Sequence, residues 1–185
     1  MKFSSFSSFL NTAFGAAMLT TSLATPQVSM GAPSGPLYAQ LSSSMSQKAS
    51  VTGTLVKMDS NDALSGLDHD DKGKGTDITI KTEGVYFMVA AIQVGKEIGE
   101  ADDYIDVWMK QNGKDVDNSG CRQMIKDPKF TTVLVCQGIA ECKAGDKFNV
   151  VISSNSADKG VGIVKIAPAG EPAIPSIIFS IYKIN

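Results

Sequence analysis

Gly84–Gly113 reads GVYFMVAAIQVGKEIGEADDYIDVWMKQNG, and the fold is decided there. A β-strand turns successive side chains to opposite faces, so one buried face needs only every second residue apolar. Val85–Val94 exceeds that requirement. Tyr86, Met88, Ala90, Ile92 and Val94 occupy one face, and Val85, Phe87, Val89 and Ala91 the other. Tyr104–Gln111 carries the single tryptophan, Trp108, and runs into Asn112-Gly113, a strong hairpin signal. The second face of an antiparallel sheet usually meets water. Here it needs a cover, either a second layer of structure or another subunit, and the chain offers no convincing helix for the purpose.

Outward from this stretch, the punctuation is that of an all-β protein. Ala49–Met58 is a first strand, Asp59–Asp77 a loop, and Ile78–Thr82 a short strand before Glu83-Gly84. Beyond Asn118-Ser119-Gly120 come Cys121–Ile125, the long segment Lys129–Lys143, Lys147–Ser153, Val161–Ile166 and Ser176–Ile184. Short strands separated by turns about every ten residues predict a sandwich or jelly roll. The last strand is again two-faced, with Ile177, Phe179 and Ile181 against Ile178, Tyr182 and Ile184. Full burial of a large apolar side chain gains about 1.5–3 kcal/mol, so several left in water forgo on the order of 10 kcal/mol. A contact between subunits recovers that energy and hides an adhesive patch.

The N-terminus reads as an export leader. Lys2 is the only charge before Lys48, and Phe9–Ala24 is apolar, closing on the small-x-small triplet Ser22-Leu23-Ala24. A span needs about 20 apolar residues, and this run falls short and contains Asn11. Residues 1–24 are therefore expected to be a signal peptide, leaving no membrane span after cleavage. Thr25–Lys48 is rich in Ser, Pro and Gly and reads as a flexible linker. The domain is expected over residues 49–185.

Composition narrows the chemistry. The chain carries 17 Lys+Arg against 19 Asp+Glu, a net charge of −2, and shows no basic run. Nucleic-acid phosphates demand clustered cations, so that class is disfavoured. His69, the only histidine, lies in a polar loop, and no serine sits in a nucleophile-elbow sequence. No Gly-rich phosphate loop precedes a helix. A catalytic role is not expected.

Four motifs resemble a known family. Glu83-Gly84-Val85-Tyr86-Phe87 resembles the Gly-x-Tyr-x-Phe opening of a central strand in the globular heads of complement first-component subcomponent q. Val107–Gly113, with Asn118-Ser119 beyond, resembles that family's hydrophobic-x-x-x-Asn-Gly strand, and Cys142-Lys143-Ala144-Gly145-Asp146 its Leu-x-x-Gly-Asp. Pro172–Ile178 is similar to the ending of such domains in phage virion and bacterial surface proteins. The resemblance covers Val51–Ile184. It implies an antiparallel jelly roll of about ten strands, of the complement-head or tumour-necrosis-factor type, assembling as a homotrimer. The implied role is a secreted or surface-exposed recognition or adhesion head that binds a glycan or protein through its loops. The alternative is a structural subunit of a surface layer, appendage or virion. Tyr86, Met88, Phe179 and Tyr182 are the expected trimer contacts.

Two further expectations concern side-chain chemistry. Three cysteines in an exported chain invite a disulfide. A hairpin over Gln137–Glu141 would let Cys136 meet Cys142. If Lys129–Lys143 is one strand, as the resemblance suggests, those two stand about 20 Å apart at ~3.3 Å per residue, and Cys121–Cys136 becomes the candidate pair. Three reduced, buried thiols are the bland alternative. Asp68, Asp70 and Asp71 in one loop, and Asp102 and Asp103 in another, carry the hard oxygen ligands calcium wants. Some relatives of this fold hold calcium through loop carboxylates at the trimer apex. Against this, Lys72 and Thr79 occupy ligand positions of a calcium loop, and a solvated charged loop is the favoured reading.

Overall fold

The computed structural model describes residues Gly35–Ile184. The expected signal peptide over residues 1–24 and the first part of the expected linker lie outside them. The strands, in chain order, are β1 (Tyr38–Ser43), β2 (Gln47–Lys48), β3 (Thr54–Leu55), β4 (Ser60–Ser65), β5 (Leu67–His69), β6 (Ile78–Ile80) and β7 (Gly84–Gly95). They continue with β8 (Asp103–Gln111), β9 (Lys114–Asp115), β10 (Cys121–Ile125), β11 (Thr132–Cys142), β12 (Lys147–Ser154), β13 (Gly162–Ile163) and β14 (Ile177–Lys183). A single 3-10 turn at Ala157–Lys159 is the only helical element among the described residues.

Two antiparallel sheets form a sandwich. The first is ordered β4-β1-β14-β7, with β11 on the far side of β7 and the short β13 and β2 extending one end. The second runs β10-β8-β12-β6-β5, with β3 beside β12 and β9 beside β8. The eight principal strands are β1, β6, β7, β8, β10, β11, β12 and β14. Counted in chain order, they fall into sheets 1-8-3-6 and 2-7-4-5, which is a jelly roll. The expected all-β sandwich is therefore found.

The core lies between the sheets. Tyr86, Met88, Ala90, Ile92 and Val94 of β7 face Ile105, Val107 and Met109 of β8 and Phe148, Val150 and Ile152 of β12 within one continuous apolar cluster. Phe179, Ile177 and Ile181 of β14 and Leu41 of β1 complete it. Tyr86, Met88 and Phe179 are no more than 1% exposed. They are core residues of the protomer, and the expectation that they form trimer contacts is corrected. The reason is the pleat: these strands are two-faced, and these three residues point to the partner sheet. Of the four candidates only Tyr182, 46% exposed, faces outward.

The domain also begins earlier than the linker reading allows. β1 lies inside that segment and pairs with both β14 and β4, with Ala39 and Leu41 buried. Its apolar positions alternate with Tyr38, Gln40 and Ser42, so the strand looks like Ser-rich spacer until its neighbours from the chain's far end are in place. The Asp59–Asp77 loop likewise contains β4 and β5. The chain turns between them at Gly66, whose φ of 69° belongs to the left-handed region.

Candidate functional site

Two regions stand apart from the packed interior: the outer face of the first sheet and the loop end where the β7–β8 and β10–β11 connections meet. The outer face follows from register. Tyr38 pairs with Tyr182, Tyr182 with Phe87, and Phe87 with Ile139, giving one apolar row across four strands. Ser42, Ile178, Ala91 and Val135 form a parallel row. Between them lies the mixed row Gln40, Ser180, Val89 and Gln137. The Phe87 and Tyr182 rings lie 5.4 Å apart at an angle of 51°, within the range of favourable aromatic pairs. Val133, Val135 and Ile139 of β11 are 51–64% exposed.

The second sheet has the opposite outer surface. Arg122 of β10 forms a bidentate pair with Asp106 of β8, at 2.6 and 2.7 Å, and lies 3.8 Å from the centre of the Tyr104 ring. Trp108 donates its indole N–H to Asp115 at 2.7 Å, and Lys110 pairs with the same carboxylate. Gly53 passes over Trp108 and Val151 so closely that a Cβ there would stand 3.1 Å from Val151. The tryptophan is thus covered by its own chain, whereas on the first sheet Phe87 is half-buried against Tyr182 and Ile139 is exposed.

The loop end is organised by a buried ionic cluster. Lys96, at the end of β7, is fully buried and donates from Nζ to Asp103 at 2.8 Å and to the carbonyl of Ala101 at 2.9 Å. Asp103 also accepts from Ser156 Oγ and from Lys159 Nζ at 2.9 Å. Burial alone would raise its carboxyl. The hydrogen bonds from Lys96, Ser156 and Lys159 outweigh that and hold it well below the usual carboxylate range. The cluster joins the β7–β8 loop to the 3-10 turn. Beside it, Met124, Ile125 and Phe130 line a cleft of about 460 Å3 whose rim carries Lys126 and Asp127. Phe130 is 71% exposed on the turn closed by its N–H bond to the Asp127 carbonyl. A turn ending on an unprotected aromatic is the sequence signal for this cleft; the Asp127-Pro128 turn alone does not reveal it.

The calcium expectation meets a geometric obstacle. Asp68 pairs with Lys81 at 3.2 Å, Asp71 with Lys72 at 3.1 Å, and Asp102 with Lys126 at 3.6 Å. Asp70 accepts the N–H of Gly73, and Asp103 is enclosed by two lysines. Among the described residues no three metal-binding side chains converge. Each carboxylate is turned to a different cation or backbone group, so the loops do not form a calcium cage. His69 is also a structural residue: buried, its ring nitrogens lie 2.6 Å from Asn61 Oδ1 and 3.2 Å from the Gly75 carbonyl.

All three cysteines are free thiols. Cys142 lies at the far end of β11 from the other two, and burial pushes its thiol up to about 11. Cys121 and Cys136 are neighbours across the gap between the sheet edges: Cys121 Sγ donates to the Val135 carbonyl, and the buried Cys136 thiol is pushed up by desolvation and then by contact with Cys121. Oxidation of purified protein by oxidised glutathione is therefore expected to leave one titratable thiol of three, with a peptide map joining Cys121 to Cys136. Closing a loop of about 15 residues should add about 3 kcal/mol against denaturant. A map joining Cys136 to Cys142 would overturn the pairing.

No protein-family model matches the sequence, and no curated protein matches it either.

Proposed function

We propose that this chain is a non-catalytic, exported homotrimeric head that recognises a glycan or protein through its loop end. The observation that carries the reading is the apolar outer face of the first sheet. Its counterpart on the second sheet is charged and self-covered. Each large side chain buried there by a neighbour returns about 1.5–3 kcal/mol, and a stable interface requires about 800 Å2 from each partner. The face spans four strands and supplies its apolar groups as rows. The cleft beside Phe130 lies within the size range of ligand pockets, about 300–1,000 Å3. Its Met and Phe lining beside a Lys and an Asp suits a ligand with both apolar and polar groups. The buried ionic cluster holds the neighbouring loops in place before binding.

One observation favours the alternative, a structural subunit of a surface layer, appendage or virion. β11 pairs with β7 on one side and with no described strand on the other, and Thr132–Cys142 contains no Lys or Pro to blunt that edge. Light scattering on the chain from Thr25 onward separates the readings. A discrete species of three chains at all concentrations supports the head, and mass that grows with concentration supports the building block. Val135→Lys combined with Ile139→Lys should give a monomer with an unchanged β-sheet spectrum, because both positions are exposed in the protomer. A wild-type monomer would remove the basis of both readings. A trimer that captures nothing from a broad glycan and cell-surface screen would leave assembly standing and sink recognition.

A further inference from the structure

The cleft beside Phe130 lies where two unpaired strand edges meet. Its lining is the last three residues of β10, the turn through Phe130, and Thr132, the first residue of β11. Among the described residues β10 pairs only with β8, and β11 only with β7. Each strand therefore turns alternate backbone N–H and C=O groups away from its one neighbour. The Met124 carbonyl of β10 accepts from Gln123 Nε2 at 2.9 Å. A movable side chain there holds a place that a partner's N–H can take.

The apolar surface of this cleft is open. Phe130 is 71% exposed and Met124 43%, and both line the same space of about 460 Å3. A hollow of about 340 Å3 adjoins it, sharing Lys126 and Asp127 and walled otherwise by Glu100, Ala101 and Asp102 of the β7–β8 loop. Three carboxylates and one ammonium thus line the two spaces. Lys126 stands 3.6 Å from Asp102, whereas Glu100 and Asp127 form no ion pair among the described residues. One Asp127 oxygen accepts the Lys129 N–H at 2.7 Å, and the Lys129 side chain lines neither space. Lys96 grips the acidic loop through the Ala101 carbonyl and Asp103, so its carboxylates are in place before a ligand arrives.

On the footing of the loop-end recognition proposed above, we propose that the Phe130 cleft takes an extended protein segment carrying an aromatic or large aliphatic residue close to a basic one. Free strand edges suit a polypeptide, whose N–H and C=O groups repeat at the strand's own spacing. The apolar side chain lies against Phe130 and Met124. The basic one meets Glu100 and Asp127, which complement its charge.

The probes are capped hexapeptides of alternating Thr and Val, with one Phe and one Arg placed at every pair of positions. They are added to the full chain with isotopically labelled methionine methyl groups. A subset should bind saturably and shift the Met124 methyl, assigned with Met124→Leu. Phe130→Ala should weaken the best peptide at least ~10-fold with an unchanged β-sheet spectrum, because the ring is exposed in the folded chain. Glu100→Gln combined with Asp127→Asn should weaken it about 3–10-fold at low salt. The same variant should leave an analogue with norleucine for Arg within a factor of about two. N-methylation of alternate peptide residues should abolish binding in one phase and spare it in the other. A library in which no member shifts Met124 would overturn the proposal, as would binding that survives Phe130→Ala or that tolerates Glu in place of Arg. Oligosaccharides that shift Met124 where every peptide fails would overturn it and leave loop-end recognition standing. Peptide binding by a chain that scatters light as a monomer would support it and remove the trimer alone.

Discussion

Asp103→Ala is expected to remove about 3–5 kcal/mol of folding stability, because it leaves the Lys96 ammonium buried without its counter-ion. Lys96 has no exposed side-chain surface, and Asp103 has almost none. Their attraction is largely unscreened, and neither can turn to water when the other is lost. Denaturant unfolding should show a lower midpoint with an unchanged slope. The double variant Lys96→Met with Asp103→Leu should be less damaged than the single one, since it removes the stranded charge along with its partner. A single variant within about 0.5 kcal/mol of wild type would mean that water reaches Lys96.

The same carboxylate sets an acid limit. Its folded pKa lies below the unfolded value of about 3.9, so the charged form is favoured by folding. The stability it contributes is complete above the unfolded pKa and is lost as pH falls toward the folded one. Wild-type midpoints should therefore drop below about pH 4, and Asp103→Asn should flatten that part of the profile. Asp77 and Asp146, both held low chiefly by hydrogen bonds, contribute in the same direction, so the slope should shrink without vanishing.

Phe179→Ala is expected to cost about 3–5 kcal/mol through a cavity in the middle of the first sheet. Phe179 is paired with Leu41 on one side and Ala90 on the other, and it is 1% exposed. A whole domain is worth only about 5–15 kcal/mol, so this one side chain carries a large part of the margin. The loss should appear as a lower denaturation midpoint that does not move with protein concentration. Tyr182→Ala, three residues on and facing outward, should weaken the proposed assembly while leaving protomer stability little changed. Concentration-dependent unfolding of Phe179→Ala with normal protomer stability would instead place Phe179 in a subunit contact.

These variants mark where sequence reasoning works and where it stops. Alternation within Val85–Val94 and Ile177–Ile184 was legible because a two-residue period is local. It showed two apolar faces on each strand. Which face met the other sheet was a different matter. Tyr86, Met88 and Phe179 went inward, and Phe87, Ala91 and Ile178 were left on the outer face. β1 was missed for a related reason. Six residues whose only apolar inward positions are Ala39 and Leu41 carry too little signal alone, and one of the two partner strands, β14, lies about 140 residues away. The Asp-rich loops show the same limit: carboxylates close in sequence diverge in space, Asp68, Asp71, Asp102 and Asp103 toward lysines and Asp70 toward the Gly73 N–H.

The amino-acid order by itself thus determined the all-β class, most of the strands from β6 onward, and the turns at Asn112-Gly113 and Ala144–Asp146; the pairing of Cys121 with Cys136 followed only from the family resemblance. The tertiary structure alone decided the sidedness of each strand, the burial of Lys96 with Asp103, the apolar rows across four strands, and the cleft beside Phe130. Local alternation is a property of one strand. Sidedness, ion pairing and cavities depend on what arrives from elsewhere in the chain, and in a jelly roll nearly every neighbour comes from far away.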